Sequence, residues 1–262
     1  MNIAAAQISC SLGDLKANLL KIRDFSAQAK EASADLIVFP EMVDTGYSMP
    51  VIQTHATPWI NGAVPELQRI AKTLSIAIVS GVAERDGTSI YNSQIFIDAR
   101  GEIVTKYRKA HLFAHAPVEE HKCFSPGNEL TSFAFAGLCF GLSICYDLRF
   151  PELYRKLAVE NNVNSFIVSS AWPFSRIEHF LTLATARAIE NQSYMIVANR
   201  VGNDDGVSFC GRSRIIDPYG VIIAAASQDR EELIQAEISE DAVKFVRSQM
   251  EVFAHRRPDV YK

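Results

Sequence analysis

Short, continuous runs of apolar residues recur along this chain of 262 residues, separated in several places by segments of helical periodicity. Continuous apolar runs of this length are typical of strands that are covered on both faces. They predict strands at 2–8, 35–39, 76–82, 93–98, 138–144, 165–169, 194–198 and 212–216. Two short polar segments, at 99–102 and 217–220, predict hairpin turns.

Apolar positions that return every three or four residues predict helices between many of these strands. One helix is predicted from Leu15, with Asp14 as its N-cap, and a second from Pro65. A third follows Pro151, and a fourth is predicted from Ser175, which opens a capping-box pattern.

Alternating strands and helices, with hairpins added, indicate an α/β layered fold with a mixed sheet. No linker or low-complexity stretch divides the sequence, so we expect one domain over residues 1–262. The segment 111–128 is polar, aperiodic and long for a loop. Loops of that length within a compact domain are usually functional or disordered.

Composition narrows the class of protein. An apolar content of 48% and a charged content of 21% are ordinary for a soluble globular chain. The net charge of −4 gives no reason to expect nucleic acid or an anionic membrane as a partner. The five cysteines include no C-x-x-C pair, which argues against a disulfide framework and favours a reducing, cytoplasmic setting. No apolar run is long enough to cross a bilayer, and the first residues read as a strand rather than a signal peptide.

Three residues that can do chemistry stand where apolar strands run out or shortly after. Glu41 follows the run 35–39, Lys109 lies downstream of the first hairpin, and Cys145 ends the run 138–144. Ligands gather at the carboxyl ends of strands in layered α/β folds, so these side chains can converge. Each alone also fits a structural role: a buried cysteine, a capping glutamate or a solvated lysine.

Together the three residues supply what thiol acyl transfer needs. A carboxylate can take the proton from the thiol, and a cation can stabilise the thiolate and then the tetrahedral oxyanion. Three motifs carry the same residues, namely 39–41 (FPE), 107–113 (YRKAHLF) and 144–152 (ICYDLRFPE). In these motifs, their order and their separations, the chain resembles the nitrilase superfamily of carbon–nitrogen hydrolases, and the resemblance covers nearly the whole sequence.

The resemblance implies a catalytic triad. Glu41 would be the general base, Cys145 the nucleophile, and Lys109 the stabiliser of thiolate and oxyanion. Members of the family often carry a second glutamate ahead of a Phe-x-Pro-Gly element, and Glu120 is the best match here, with its neighbour Glu119 as the alternative. That assignment makes the long loop one wall of the active site.

The resemblance also implies an architecture: a four-layer αββα sandwich with two mixed β-sheets, which dimerises into an eight-layer sandwich. We expect a homodimer, with the segment 246–262 reaching across the interface. No metal or organic cofactor is required by this chemistry.

The residues that follow Cys145 favour one branch of the superfamily. Nitrilases typically carry Trp-Glu there, whereas 146–152 resembles the amidase branch that includes ω-amidases. This implies hydrolysis of a small aliphatic or ω-carboxyl amide, with Arg149 or Arg176 contacting a substrate carboxylate unless each serves a structural ion pair. Aromatic candidates for the pocket wall, which also fit a core role, are Tyr47, Phe113, Tyr146 and Trp172.

Other interpretations are weaker but distinct. Within the superfamily, the alternative is a carbamoyl-amine or nitrile hydrolase. Among proteins that are not enzymes, the alternative is a binding protein that has this fold but no catalytic turnover. The histidines at 111, 115 and 121 fit no common metal-ligand spacing. The basic cluster 106–111 is too short to indicate nucleic acid, and Cys145 lacks the local signature of papain-like enzymes.

Overall fold

Two six-stranded mixed sheets form the centre of the computed structural model, which describes residues 1–261. The first sheet has the strand order β14-β1-β2-β3-β4-β5, and its members are β1 (Asn2–Gln7), β2 (Leu36–Val38), β3 (Ala77–Asp86), β4 (Ser89–Ile97), β5 (Ile103–Arg108) and β14 (Glu232–Glu237). Strands β1, β2 and β3 are parallel, and the other pairs are antiparallel.

The second sheet has the order β13-β12-β9-β8-β7-β6. Its members are β6 (Ser132–Phe135), β7 (Leu138–Ile144), β8 (Ser165–Ser170), β9 (Tyr194–Asn199), β12 (Arg214–Ile216) and β13 (Ile222–Ala225). Strands β7, β8 and β9 are parallel, as in the first sheet's centre. A separate two-stranded ribbon consists of β10 (Asn203–Asp204) and β11 (Val207–Ser208).

Six helices accompany the sheets in the described residues. They are α1 (Leu15–Glu31), α2 (Met49–His55), α3 (Ala63–Leu74), α4 (Pro151–Glu160), α5 (Ile177–Asn191) and α6 (Glu240–Gln249). None of the helices in residues 1–261 combines the length and apolarity that a bilayer crossing demands.

Alternating residues of β1 show how the layers stack. Ala4 and Ala6 belong to a core shared with α1 and α3, whereas Ile3 and Ala5 belong to the core that contains the second sheet, α4 and α5. Successive side chains of a strand point to opposite faces. The first sheet is therefore covered by α1 and α3 on one face and by the second sheet on the other, which confirms the four-layer αββα sandwich.

Each of the eight predicted strands has a counterpart in the structure, with ends shifted by a few residues. The Asp14 N-cap is confirmed, because its Oδ1 accepts from the Ala17 N–H at 3.0 Å. Both hairpin turns are confirmed, between β4 and β5 and between β12 and β13. Segment 111–128 is irregular apart from one 3₁₀ turn, Glu120–Lys122.

The capping box predicted at Ser175 is wrong. Ser175 lies inside a 3₁₀ turn, Phe174–Arg176, and α5 begins two residues later at Ile177 without a side-chain cap. A different local hydrogen bond holds the turn, because the indole Nε1 of Trp172 donates to the Arg176 carbonyl at 2.8 Å. A local capping pattern gives way here to a buried side chain.

Candidate active site

Cys145 lies directly at the end of β7, on the turn that leads into α4. Its φ of +43° is in the left-handed region, which costs a non-glycine residue free energy unless the surroundings impose it. A 3₁₀ turn, Cys145–Arg149, follows, and Pro151 then opens α4. The side chain is buried, with 7% of its surface exposed. The predicted strand-to-helix turn is therefore present.

Glu41 lies just beyond β2 and is fully buried. Its Oε2 accepts from the backbone N–H of Ala171 at 2.8 Å, immediately after β8 of the other sheet. Its Oε1 accepts from Asn92 Nδ2 at 2.6 Å and from Lys109 Nζ at 3.0 Å. A strand of each sheet thus contributes to holding this carboxylate.

Lys109 immediately follows β5, and its side chain is fully buried between two carboxylates. Its Nζ lies 3.0 Å from Glu41 Oε1 and 2.7 Å from Glu120 Oε1. Glu120 also accepts from the Tyr47 hydroxyl and from the Phe113 N–H, each at 2.7 Å. The long loop therefore delivers one buried glutamate to the lysine.

Of the two glutamates offered by the sequence, Glu120 is the one in this cluster. Glu119 is partly exposed and pairs instead with Lys122 at 2.7 Å. Its φ of +48° turns the chain so that consecutive side chains diverge. The loop thus separates a surface ion pair from a buried one within two residues.

The electrostatics of the cluster follow from burial. Burial raises the pKa of Glu41, while the ammonium of Lys109 acts against that rise. Burial, and then the negative charge of Glu41, raises the pKa of the Cys145 thiol. Burial lowers the pKa of Lys109, but the charges of Glu120 and Glu41 more than offset this, so its pKa is raised. The resting site holds a firmly charged ammonium beside a neutral thiol.

One pocket opens onto these groups, with about 390 Å³ of empty space including its mouth. Cys145 and Lys109 line it. All four aromatic candidates of the sequence analysis line it as well, namely Tyr47, Phe113, Tyr146 and Trp172. Tyr47 and Trp172 are buried, and the other two are partly exposed. Tyr47 and Trp172 therefore combine a core role with a place in the pocket wall, whereas Phe113 and Tyr146 belong to the wall alone.

Arg149 and Arg176 also line the pocket. The guanidinium of Arg149 lies 4.9 Å from the ring centre of Trp172, and that of Arg176 lies 4.9 Å from the ring centre of Phe113. Within residues 1–261, neither guanidinium lies within salt-bridge distance of a carboxylate, so the structural ion pairs weighed for them do not form there. Two cationic groups thus stand over aromatic faces at the pocket.

Comparison with known proteins identifies the family. The family model described as carbon-nitrogen hydrolase matches residues 2–248. The chain belongs to the carbon–nitrogen hydrolase family. The resemblance to the nitrilase superfamily drawn from the sequence motifs is thereby confirmed.

Two curated relatives of this carbon–nitrogen hydrolase span almost its full length. The 2-oxoglutaramate amidase of Bacillus subtilis is 35% identical over 260 residues, with 99% of this chain and 98% of the relative covered. The omega-amidase NIT3 of Saccharomyces cerevisiae is 31% identical over 280 residues, with 100% and 94% covered.

Solved structures agree with the fold. The crystal structure of Saccharomyces cerevisiae Nit3, of branch 10 of the nitrilase superfamily, matches with a TM-score of 0.89 at 30% identity and covers 98% of this chain and 96% of that one. An amidase mutant from Nesterenkonia sp. AN1, which shows Michael addition of acrylamide at its active-site cysteine, matches with a TM-score of 0.84 at 26% identity. The alignment covers 96% of this chain and 98% of that chain.

Sequence reasoning missed two polar residues of the carbon–nitrogen hydrolase site. Asn92 of β4 donates to Glu41 and, at 3.3 Å, to Glu120 Oε1. Asp147 lies within the 3₁₀ turn that begins at Cys145. A signal existed for Asn92, because it opens a polar triplet, 92–94, inside an otherwise apolar strand. Asp147 lies inside the motif 144–152, but nothing in the sequence marked its side chain as buried, since a polar residue after a strand is ordinary.

Proposed function

We propose that this carbon–nitrogen hydrolase is an amidase that converts a small linear amide bearing a carboxylate into the free acid and ammonia. One observation carries the proposal. Cys145 and Lys109 line the same pocket, and Lys109 donates a hydrogen bond to Glu41. The activities named for the two curated relatives, on 2-oxoglutaramate and on omega-amides, support the same reaction class.

In the first half-reaction, the Cys145 thiol transfers its proton to Glu41, and the sulfur attacks the amide carbon. Lys109 Nζ and the backbone N–H of Tyr146 stabilise the oxyanion that develops. The carbon–nitrogen bond then breaks as Glu41 returns its proton to the departing nitrogen. Ammonia leaves, and the acyl group remains on sulfur as a thioester.

In the second half-reaction, water replaces ammonia beside Glu41. Glu41 accepts a proton from the water while the water oxygen attacks the thioester carbon. Lys109 again stabilises the oxyanion. The carbon–sulfur bond breaks, the sulfur regains its proton from Glu41, and the acid is released. The same carboxyl group therefore carries every proton, which suits a carboxyl group whose pKa burial raises toward the working pH.

Arg149 and Arg176 support a substrate that carries its own carboxylate. Both residues line the pocket, and neither guanidinium has a carboxylate within salt-bridge distance among residues 1–261, although that of Arg149 lies 3.1 Å from His179 Nδ1. A carboxylate paired with a guanidinium in a partly desolvated pocket gains charge-assisted hydrogen bonds. A linear substrate can therefore place its amide at Cys145 and its carboxylate at the arginines.

We also infer that the enzyme is a homodimer built from single-domain chains and that it works in the cytoplasm. The C-terminal segment supports the dimer, because Phe253 packs between Arg155 and Arg247 while Val260 and Tyr261 beyond it are exposed. Lys262, which the sequence analysis included in this segment, lies outside the described residues.

Ammonia release from a panel of amides tests the proposal. The sharpest pair is succinamate and butyramide, which have the same chain length and differ only in a terminal carboxylate or methyl group. We expect a higher kcat/KM for succinamate. We expect Arg149→Met to reduce that preference by roughly tenfold to a hundredfold, the worth of a charge-assisted hydrogen bond. Lys156→Met on α4 removes a charge outside the pocket and is the matched control.

The outcomes test the carboxylate preference and the amidase activity separately. Equal kcat/KM values for the pair would contradict the carboxylate preference, while loss of turnover in Cys145→Ser would still support the amidase. Turnover confined to a nitrile or an N-carbamoyl amine in the panel would replace the amidase with that alternative. If no compound is hydrolysed and none leaves an acyl adduct on Cys145, the amidase proposal is wrong.

A further inference from the structure

Asp147 is a fully buried carboxylate that lies outside the catalytic cluster and accepts four hydrogen bonds. Oδ1 accepts from the backbone N–H of His111 at 3.1 Å and lies 2.7 Å from His111 Nδ1. Oδ2 accepts from the Tyr107 hydroxyl at 2.8 Å and from the Ile144 N–H at 2.9 Å. Each oxygen thus has two partners, and the carboxylate is held in one orientation.

The donors come from two separate segments. Tyr107 and His111 lie two residues before and two residues after Lys109, and the Tyr107 hydroxyl itself accepts from the Ala110 N–H at 3.0 Å. Ile144 immediately precedes Cys145. Asp147 therefore connects the segment that carries the ammonium to the turn that carries the thiol.

The cysteine turn needs such a constraint. Cys145 has a φ of +43°, a conformation that persists only where the surrounding structure imposes it. Asp147 bonds the residue just before that strained position. The His111 ring is fixed in turn by stacking on Phe150, with ring centres 3.7 Å apart. Asp147 is not among the residues that line the pocket, so substrate contact does not explain its burial.

We propose that Asp147 is a positioning residue, which holds the Cys145 turn in register with the Lys109 segment so that thiol and ammonium meet the same carbonyl group. The proposal rests on the thioester chemistry above. Without the hydrogen bonds of the Asp147 carboxylate, the turn relaxes from its strained conformation, and the sulfur moves relative to Lys109. A misplacement of about 1 Å between reacting groups lowers the rate about a hundredfold.

Asp147→Asn is the direct test, because it keeps the shape of the side chain but places an NH₂ group where one oxygen stood. That group faces either the Ile144 N–H and Tyr107 hydroxyl or the His111 N–H, so at least one backbone donor loses its acceptor. We expect kcat to fall about a hundredfold with KM little changed. We also expect alkylation of Cys145 by iodoacetamide, followed by peptide mass spectrometry at neutral pH, to slow in parallel.

Tyr154→Phe is the matched control. It removes a buried hydrogen bond of 2.9 Å from the Tyr154 hydroxyl to Ser143 of β7, a bond in which no residue of the Lys109 segment takes part. It is expected to lower the melting temperature but to leave kcat and the alkylation rate unchanged. If D147N does not fold, Tyr107→Phe takes its place. It removes the hydrogen bond from Tyr107 of β5 to Asp147 and leaves the carboxylate itself unchanged.

The outcomes distinguish this proposal from the amidase proposal. If D147N, or Y107F in its place, keeps the wild-type kcat per folded molecule and the wild-type alkylation rate, Asp147 is structural only and the positioning role is wrong. Slowed alkylation in a protein whose wild type hydrolyses no amide would keep the positioning role and reject the amidase. An equal loss of kcat in Y154F would also contradict a specific role for Asp147.

Discussion

Glu41 and Glu120 are two fully buried glutamates on one lysine, yet their hydrogen bonding differs. Glu120 accepts on both oxygens from Lys109, and Tyr47 and the Phe113 N–H add further donors. Glu41 Oε2 accepts only from the Ala171 N–H, which leaves a lone pair available for a proton. Glu120 is therefore suited to be a fixed counterion, and Glu41 to be the group that exchanges protons.

This difference predicts the acid limb of the pH profile. Because burial raises the pKa of Glu41 above its usual value of 4.5, the base stays protonated at pH values where an exposed glutamate is ionised. We expect kcat/KM to fall as the pH drops, with a midpoint above 4.5. Butyramide is the suitable substrate, since it has no group that titrates in this range.

Two variants check the assignment of that limb. Glu41→Gln is expected to lose turnover at every pH, because Glu120, the other carboxylate of the cluster, already accepts at least two hydrogen bonds on each oxygen. Glu119→Gln, at the partly exposed neighbour of Glu120, is expected to leave the profile unchanged. A wild-type midpoint at or below 4.5 would contradict Glu41 as the raised base.

At the scale of elements, the sequence predicted the buried central strands better than the strands at the sheet edges. The central strands are continuous apolar runs, whereas the edge strands β5, β6, β13 and β14 consist mostly of exposed or partly buried positions and were not predicted. The proposed triad could be predicted from the sequence because each member follows a strand and belongs to a recognisable motif. Asn92 and Asp147 act on partners 51 and 36 residues away, and hydrophobic periodicity does not encode such contacts.

The contact between β3 and the Glu41 turn yields a prediction at this scale. A Cβ on Gly81 would lie 2.7 Å from both Glu41 Cα and the Pro40 carbonyl oxygen, so β3 can approach the turn only through a glycine. We expect Gly81→Ala to lower the free energy of unfolding by about 1–3 kcal/mol, the usual cost of overpacking. We also expect at least tenfold lower kcat, because the turn that carries Glu41 must shift.

Thermal unfolding and kcat, measured together, check this expectation. Ser80→Ala is the control, since Ser80 is the neighbouring buried residue of β3 and its hydroxyl has no partner among residues 1–261. Its removal should leave both quantities unchanged. Full activity in G81A would show that the Glu41 turn tolerates displacement.

At the scale of the whole molecule, both sheets contribute to the site. Glu41 and Lys109 follow β2 and β5 of the first sheet, whereas Cys145 and Ala171 follow β7 and β8 of the second. Direct hydrogen bonds join the layers beneath them, since Ser169 Oγ donates to the Phe39 carbonyl at 2.7 Å and accepts from Gln94 at 2.9 Å. The four-layer architecture thus brings the proposed catalytic groups together.

The proposed homodimer is a prediction at this scale. Light scattering at micromolar concentration should give twice the chain mass of 29.0 kDa. Removal of residues 254–262, beyond Phe253, should shift the species toward one chain. A full-length monomer would contradict the dimer, and a truncated dimer would contradict the role of the C-terminal segment.

The division of the site between two sheets has a consequence for how the chain can be cut. The carboxylate proposed as acid–base group and the cation beside it both lie before residue 110, and the proposed nucleophile lies after residue 144, with the exposed stretch 114–117 between them. A break within that stretch would yield one piece with a base but no nucleophile and another with a nucleophile but no base. Neither fragment contains all the proposed catalytic residues, so turnover would return only when the two fragments reassociate.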